Sequence, residues 1–372
     1  MKRREFVRGV GIAAPLAALG VAAPREAAAQ DAPTVKWRMS TSWPKSLDTM
    51  YGSAEHLCAR VAELTNGKFQ IRAFAGGDIV PPAQNFDAVS NGTVECNHVL
   101  ASAFVGKEPT VGFDTGLPFG LNSRQHNAWM LYGGGLEMLR AMYAKYNIVN
   151  ITCGNVGVQM GGFYRKPIQT VADLRGLKMR IGGIGGMVLA KLGAVPQQIP
   201  PSDIYSSLEK GTIDAAEWIG PYDDEKLGLH RVAQHYYSPG WWEGCASITA
   251  MVNADAWKAL PKSYQAAFEC AANEQTLKML ADYDSRNPTA LKKLIGEGAK
   301  VSYFPRDVMN AAFQASEETM QELAAKSESF KAIYPKWKAY REAQASWFKV
   351  ADAPLDNFTF NAVLAANSKA KQ

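Results

Sequence analysis

Leu47, Met50, Tyr51, Ala54, Leu57, Cys58, Val61 and Leu64 recur at helical spacing, and the run stands between two β-type stretches, Val35–Thr41 and 68–75. Such a stripe predicts an amphipathic helix over 48–65, ended by Asn66-Gly67. A further short helix, Asn85–Ser90, and an apolar run at 94–100 complete a β-α-β-α-β order. Strands linked by helices lie parallel in one sheet with helices packed on its faces. Helical patterns follow at 124–132 and 137–146, split by Gly133-Gly134-Gly135, and then a strand at 147–153; 107–119 reads as loop.

From 158 the elements shorten but still alternate: strands at 158–165, 177–181, 196–199 and 213–218, with helices at 187–192 and 203–210 between them. The alternation predicts a second α/β lobe. The chain returns through a strand at 247–252 and a long helical pattern over 264–286, which Pro288 is expected to break. A strand at 301–304 and helices at 307–326 and 335–350 close the chain. The expected architecture is α/β, with two lobes and parallel-rich sheets flanked by helices. Residues 30–155 plus about 245–290 form lobe I, and 156–244 plus part of 291–334 form lobe II; 335–372 is a C-terminal helical segment. Two lobes with more than one crossover make a cleft, the usual seat of a small ligand, and hinge closure is the natural motion.

Residues 1–29 read as an export signal. Lys2-Arg3-Arg4 leads into an apolar stretch, and Ala27-Ala28-Ala29 offers a small-residue cleavage site near Ala29. The pair Arg3-Arg4, followed by Phe6, has a twin-arginine character. The apolar stretch is too short and too rich in Ala and Gly to span a membrane. Five basic and two acidic residues in this segment supply +3 of the chain's formal +5, so charge gives no case for nucleic-acid binding. Five cysteines without a CxxC pair read as small buried hydrophobes.

Arg180 ends the apolar strand LKMRI and precedes a glycine run, Gly182-Gly183-Ile184-Gly185-Gly186. Ligands of open α/β sheets collect beyond the carboxyl ends of strands, and a guanidinium there matches a carboxylate. The glycines allow close backbone approach and lead to a helix N-terminus that favours an anion. They do not make a dinucleotide fingerprint, because Val188 stands where a third glycine belongs. Glu217 and Trp218 end the strand IDAAEW; Glu243 follows Trp241-Trp242; Asn155 and Gln159 supply amide groups at the first crossing. Two glutamates beside an anionic ligand place three negative charges against Arg180. Either one carboxyl takes a proton, or a hard cation such as Ca²⁺ or Na⁺ binds among the carboxylates, an amide oxygen and a backbone carbonyl. Trp43, Tyr164, Trp218, Trp241 and Trp242 are candidate cleft walls. No HxxxH pair, GxSxG elbow or zinc spacing occurs, so catalysis has little support.

Five segments carry a resemblance: TSWPKSLDTMYGSAE (41–55), GNVGVQMGGFYRK (154–166), DLRGLKMRIGGIGG (173–186), LEKGTIDAAEWIGPYDD (208–224) and YYSPGWWEG (236–244). With them the chain resembles the periplasmic solute-binding proteins of tripartite ATP-independent (TRAP) transporters, in the branch that binds 2-oxo acids or lactate with a metal ion. The resemblance implies a venus-flytrap fold with a long helix joining the lobes. It implies Arg180 as carboxylate anchor and Gln159 shared between ligand and metal. Glu217, the Trp218 backbone carbonyl and Glu243 complete the shell, with Asn155 in support. It also implies delivery to a small and a large membrane subunit, and a homodimer formed by exchange of a C-terminal helix, here 335–350. Three departures stand out. Ala101-Ser102-Ala103-Phe104-Val105 replaces a run often bearing tyrosine or tryptophan, Trp242 replaces a common histidine, and Gly182-Gly183 replaces a common proline. Ala103 and Phe104 point to a roomier, more apolar pocket, which keeps an aromatic or sugar acid open as the ligand. An exported enzyme acting on a carboxylate, with Glu217 or Glu243 as general base, is the remaining alternative.

Overall fold

A computed structural model describes residues 32–369 of the chain; the export signal lies outside the described residues. Eleven strands follow in order: β1 (Val35–Thr41), β2 (Phe69–Phe74), β3 (Cys96–His98), β4 (Ile148–Asn155), β5 (Gly162–Tyr164), β6 (Lys178–Arg180), β7 (Val195–Gln197), β8 (Ala215–Ala216), β9 (His235–Ser238), β10 (Ser247–Asn253) and β11 (Lys300–Tyr303). They form two mixed sheets. The first has the order β2-β1-β3-β10-β4 and the second β11-β9-β5-β8-β6-β7. In the first, β1 runs parallel to β2 and β3 while β10 is antiparallel to β3 and β4. In the second, β6 runs parallel to both β7 and β8.

The amphipathic stripe forms the helix Met50–Leu64, which buries Met50, Tyr51, Ala54, Leu57, Cys58 and Val61. The strand at 158–165 is shorter than the sequence suggests. Only Gly162–Tyr164 forms a strand, and Gly162 (φ +81°) brings its backbone so close to the neighbouring strand's end that a Cβ would meet Glu217 Cα at 2.7 Å. The segment 107–119 is not plain loop: Pro109–Val111 is a 3-10 turn and Gly112–Thr115 a helical turn, with Phe113 and Asp114 buried.

Pro288 does not break its helix. Lys262–Gly296 is continuous over 35 residues with Pro288 inside it. A proline within a helix costs about 3 kcal/mol. Here both flanks are anchored, Met279 and Tyr283 before the proline and Ala290 and Leu294 after it, all buried. This helix packs on β4 of the first sheet and on the short helix Pro221–Lys226 that follows β8 of the second.

Buried hydrogen bonds join the same elements. Asp223 accepts from the Thr49 hydroxyl (2.8 Å) and the Tyr283 hydroxyl (2.6 Å), and Asp224 accepts from Tyr236 (2.6 Å). Burial pushes both carboxyls up. Asp223 rises to about 6 against its two hydroxyl donors, and Asp224 to about 8, with the neighbouring Asp223 adding to the effect.

Four cysteines are buried, Cys270 is exposed, and none is disulfide-bonded among the described residues. No described helix is long and apolar enough to cross a membrane. The chain ends in two helices, Glu328–Val350 and Asp352–Lys369. They leave Trp347, Val350, Leu355, Phe358, Phe360, Val363 and Leu364 exposed.

Candidate carboxylate and cation site

The register of three short parallel strands assembles the polar centre. Arg180 at the end of β6 pairs with Gln197 of β7 and Ala216 of β8. The next residues along β7 and β8 are Gln198 and Glu217, so Arg180, Gln198 and Glu217 all emerge at the carboxyl edge of the sheet. The Arg180 guanidinium donates from Nη1 to the Glu217 carbonyl (2.8 Å) and to the Glu217 carboxylate, and from Nε to the Ile199 carbonyl (3.2 Å). None of these contacts uses Nη2. The guanidinium carbon lies 5.0 Å from the Trp218 ring centroid, a cation–π contact that fixes the plane of the fork.

Loop-to-loop backbone bonds bring in the other two groups. Gly240 N–H donates to the Gln159 carbonyl at 2.8 Å, and Met160 N–H to the Ile219 carbonyl at 2.9 Å. Gln159 Nε2 then donates to Glu243 Oε2 at 2.8 Å. Gln159, Arg180, Glu217, Trp218, Trp242 and Glu243 line one cavity of about 60 Å³. Gly183 (φ +64°) lets the following helix start against Ser102 and Glu243; a Cβ there would lie 3.2 Å from Ser102 Cβ.

Burial raises the Glu217 carboxyl, opposed by the Arg180 charge and the Gly182 N–H. Glu243 is pushed up to about 8 by loss of solvation and by the charge of Glu217, against Ser102, Arg180 and Gln159. Two acidic groups facing one guanidinium therefore resist full ionisation together. Gln159 Oε1 is buried with no hydrogen-bond partner. An orphaned amide oxygen is costly unless something binds it. Among the described residues no group of three or more His, Cys, Asp or Glu side chains could hold a metal. A cation here would thus draw on amide and backbone oxygens beside Glu217 and Glu243, a set that fits a hard ion.

Asn155 does not line this cavity. Its Oδ1 accepts from the Ser123 hydroxyl and the Gly157 N–H, each at 2.8 Å, and so braces the end of β4. Among the aromatic candidates Trp43, Trp218 and Trp242 reach the cavity or the recess beside it. Tyr164 instead lies in the core against Met179 (O–H to sulfur 3.4 Å), and Trp241 stacks on Phe119 at 5.2 Å. Of the two residues read as enlarging the pocket, Ala103 lines it, while Phe104 is buried against Phe86. Ser102 and Gln198 also line the cavity and were not singled out from sequence. The strand-end rule that found Arg180 finds Gln198 too, one residue past β7.

A model of bacterial extracellular solute-binding proteins, family 7 (DctP), matches residues 39–327. A monocarboxylate 2-oxoacid-binding periplasmic protein of Nostoc is 46% identical over 360 residues, covering 96% of this chain and 99% of the relative. A TRAP transporter solute-binding protein from Bordetella bronchiseptica is 69% identical, with a TM-score of 0.89 over 90% of this chain and 99% of its own. That structure is a mixed-occupancy dimer with copurified calcium and picolinate in one active site and an apo second site. A TRAP periplasmic protein from Pseudoalteromonas atlantica, with bound sodium and pyruvate, is 36% identical; its TM-score is 0.84, covering 87% of this chain and 99% of that one. The two-sheet architecture with its long helix is the architecture of these receptors, and the chain belongs to the DctP family of TRAP solute-binding proteins.

Proposed function

We propose that this chain is an extracytoplasmic receptor that captures a small monocarboxylate, a 2-oxo acid such as pyruvate or a 2-hydroxy acid such as lactate, together with Ca²⁺ or Na⁺. The observation that carries the reading is the unpartnered Gln159 Oε1 in a cavity shared with Arg180, Glu217 and Glu243. Arg180 anchors the acid's carboxylate through Nη2. Gln159, Glu217, Glu243 and the Trp218 carbonyl hold the cation, which supplies positive charge to the acid's carboxylate and 2-oxygen. With a divalent ion the charges of Arg180, two glutamates, the acid and the metal sum to zero, which keeps a buried site affordable. Pyruvate and picolinate, the ligands of the two structural relatives, both carry a donor atom next to the carboxylate. The nearest departure from this reading, an aromatic acid, uses the same anchor.

Binding and release act through closure of the two lobes, 30–155 with about 245–290 and 156–244 with part of 291–334. Asn155 supports the site indirectly by holding the end of β4. The mature protein begins near residue 30 in the periplasm and passes its ligand to the small and large membrane subunits of a TRAP transporter. The exposed apolar residues of Asp352–Lys369 fit a homodimer. The site captures its acid and does not transform it.

A thermal-shift screen of the mature protein with pyruvate, 2-oxobutyrate and lactate, with and without EDTA, tests the reading. Ligand at about 100 times its Kd stabilises the fold by about 2.7 kcal/mol, a readable rise in Tm. A rise lost in EDTA identifies a divalent ion, and a rise that survives EDTA points to Na⁺ or to no metal. No response to any of the acids, with either ion supplied, refutes the small 2-oxo or 2-hydroxy acid as the ligand.

A further inference from the structure

Beside the acid cavity lies a second recess of about 150 Å³ whose chemistry is different. It shares Leu100, Ala103, Arg180, Gln198 and Trp218 with the cavity, so a carboxylate held on Arg180 stands at its threshold. Beyond that threshold the walls are Trp43, Pro82, Ala83, Ile199, Pro200 and Pro201. No acidic side chain lines the recess, and apart from Arg180 its polar groups are Ser42, Gln198 and the indole N–H groups of Trp43 and Trp218, the latter without a partner.

The walls are flat and stiff. Trp43 is buried, and its indole N–H is spent on His98 Nδ1 at 2.8 Å. Burial holds His98 neutral, lowered to about 3, so its Nδ1 stays an acceptor for Trp43 and its Nε2, 3.2 Å from the Ser53 hydroxyl, carries the proton. Trp43 meets Trp218 edge to face at 6.3 Å, and Trp218 is pinned in turn by the Arg180 guanidinium. Proline rings complete the surface and have no donor to satisfy. Across the mouth, Gln198 Nε2 donates to the Ala103 carbonyl at 3.0 Å.

We propose that this recess is a tail subsite of the carboxylate site and takes the flat aryl substituent of a 2-oxo acid. The inference rests on the receptor reading above and names the ligand class within it. A methyl group leaves the recess to water, whereas an aromatic ring covers its apolar walls and meets the indoles of Trp43 and Trp218. A polyhydroxylated acid finds too few partners there for its hydroxyls.

The test uses the mature protein and titration calorimetry with pyruvate and phenylglyoxylate, with Ca²⁺ present. Wild type is expected to bind phenylglyoxylate about tenfold or more tighter than pyruvate. Ala83 is exposed on the rim and lines the recess but not the acid cavity. Ala83→Trp is therefore expected to weaken phenylglyoxylate by about tenfold or more and to leave pyruvate within about twofold, with Ala83→Leu falling between. The graded pair guards against a misfolded variant. Pyruvate binding without phenylglyoxylate binding overturns the tail subsite and leaves the receptor standing. Failure of both acids refutes the 2-oxo acid reading on which the subsite rests. Equal losses for the two acids in Ala83→Trp also overturn the subsite, because the substitution then acts on closure rather than on the tail.

Discussion

Replacing Asp224 by asparagine should change how stability depends on pH. Asp224 is buried on the Tyr236 hydroxyl beside Asp223, and its carboxyl rises from 3.8 to about 8. A raised carboxyl means that the folded state binds more protons than the unfolded chain between those two values. Stability contributed by this group is therefore unaffected below pH 3.8 and falls as pH rises toward 8. Each pH unit in that window costs about 1.4 kcal/mol, less the partial ionisation near the upper end, so pH 6 to 8 costs about 2 kcal/mol. Asparagine keeps an oxygen for the Tyr236 hydroxyl and cannot ionise. Urea unfolding of ligand-free wild type and Asp224→Asn at pH 5, 6 and 8 reads the effect. With asparagine standing in for the protonated carboxyl, the variant should lead wild type by about 1.5 kcal/mol at pH 5 and should gain about a further 2 kcal/mol between pH 6 and 8. Taking the difference between the proteins cancels Glu243, which is also pushed up to about 8. Parallel stability curves for wild type and variant would refute the reasoning.

Four further outcomes are expected. Arg180→Ala should cut affinity for a small 2-oxo acid by about 100-fold or more, since a charge-assisted pair is lost, and calorimetry showing unchanged binding removes Arg180 from the site. Gln159→Leu should abolish the rise in Tm caused by the cation, read against the variant's own metal-free Tm because the Nε2 bond to Glu243 is lost as well; a retained cation effect refutes its role. Leu294→Ala, at a fully buried position beyond Pro288, should cost about 2–5 kcal/mol in urea unfolding, and a near-zero cost would mean that this end of the helix is not anchored. Leu355→Glu with Phe358→Glu should shift sedimentation of the mature chain toward monomer; an unaltered dimer excludes that face as the contact.

Much of the fold was legible because period and punctuation agreed. The stripe from Leu47 to Leu64 gave the helix Met50–Leu64, and Asn85–Ser90 fell where it was read. Pro288 misled because a local rule was applied where tertiary anchoring on Tyr283 and Leu294 outweighs it. The glycine run after Arg180 was read as a loop leading to a helix at 187–192, yet the helix begins at Gly183. Low propensity is overridden there by close packing of the first turn on Ser102 and Glu243. At the site, Arg180 and Glu217 were found by their place at strand ends, a local signal. Gln159 and Glu243 were proposed from their place at the two crossings, but their direct hydrogen bond across 84 residues is one that no spacing rule reports, and only the resemblance joined them in one shell. Asn155 shows the converse, an amide at the right crossing whose partners turn it away from the cavity.

The register that sets Arg180 against Gln197 and Ala216 has a consequence for how such a receptor can diversify. Strand side chains alternate faces, so one residue inserted in β6 or β8 would turn the anchor away from its glutamate and abolish capture of any acid. The walls of the recess, by contrast, sit on turns and at a helix start: Ser42 and Trp43 after β1, Pro82 and Ala83 in a 3-10 turn, Pro200 and Pro201 before and at the first turn of a helix. Substitutions and length changes there leave the strand register untouched. On the proposed assignments, head-group recognition is held by the sheet and tail preference by the loops, so that a receptor of this build trades one acid for another without rebuilding the anchor.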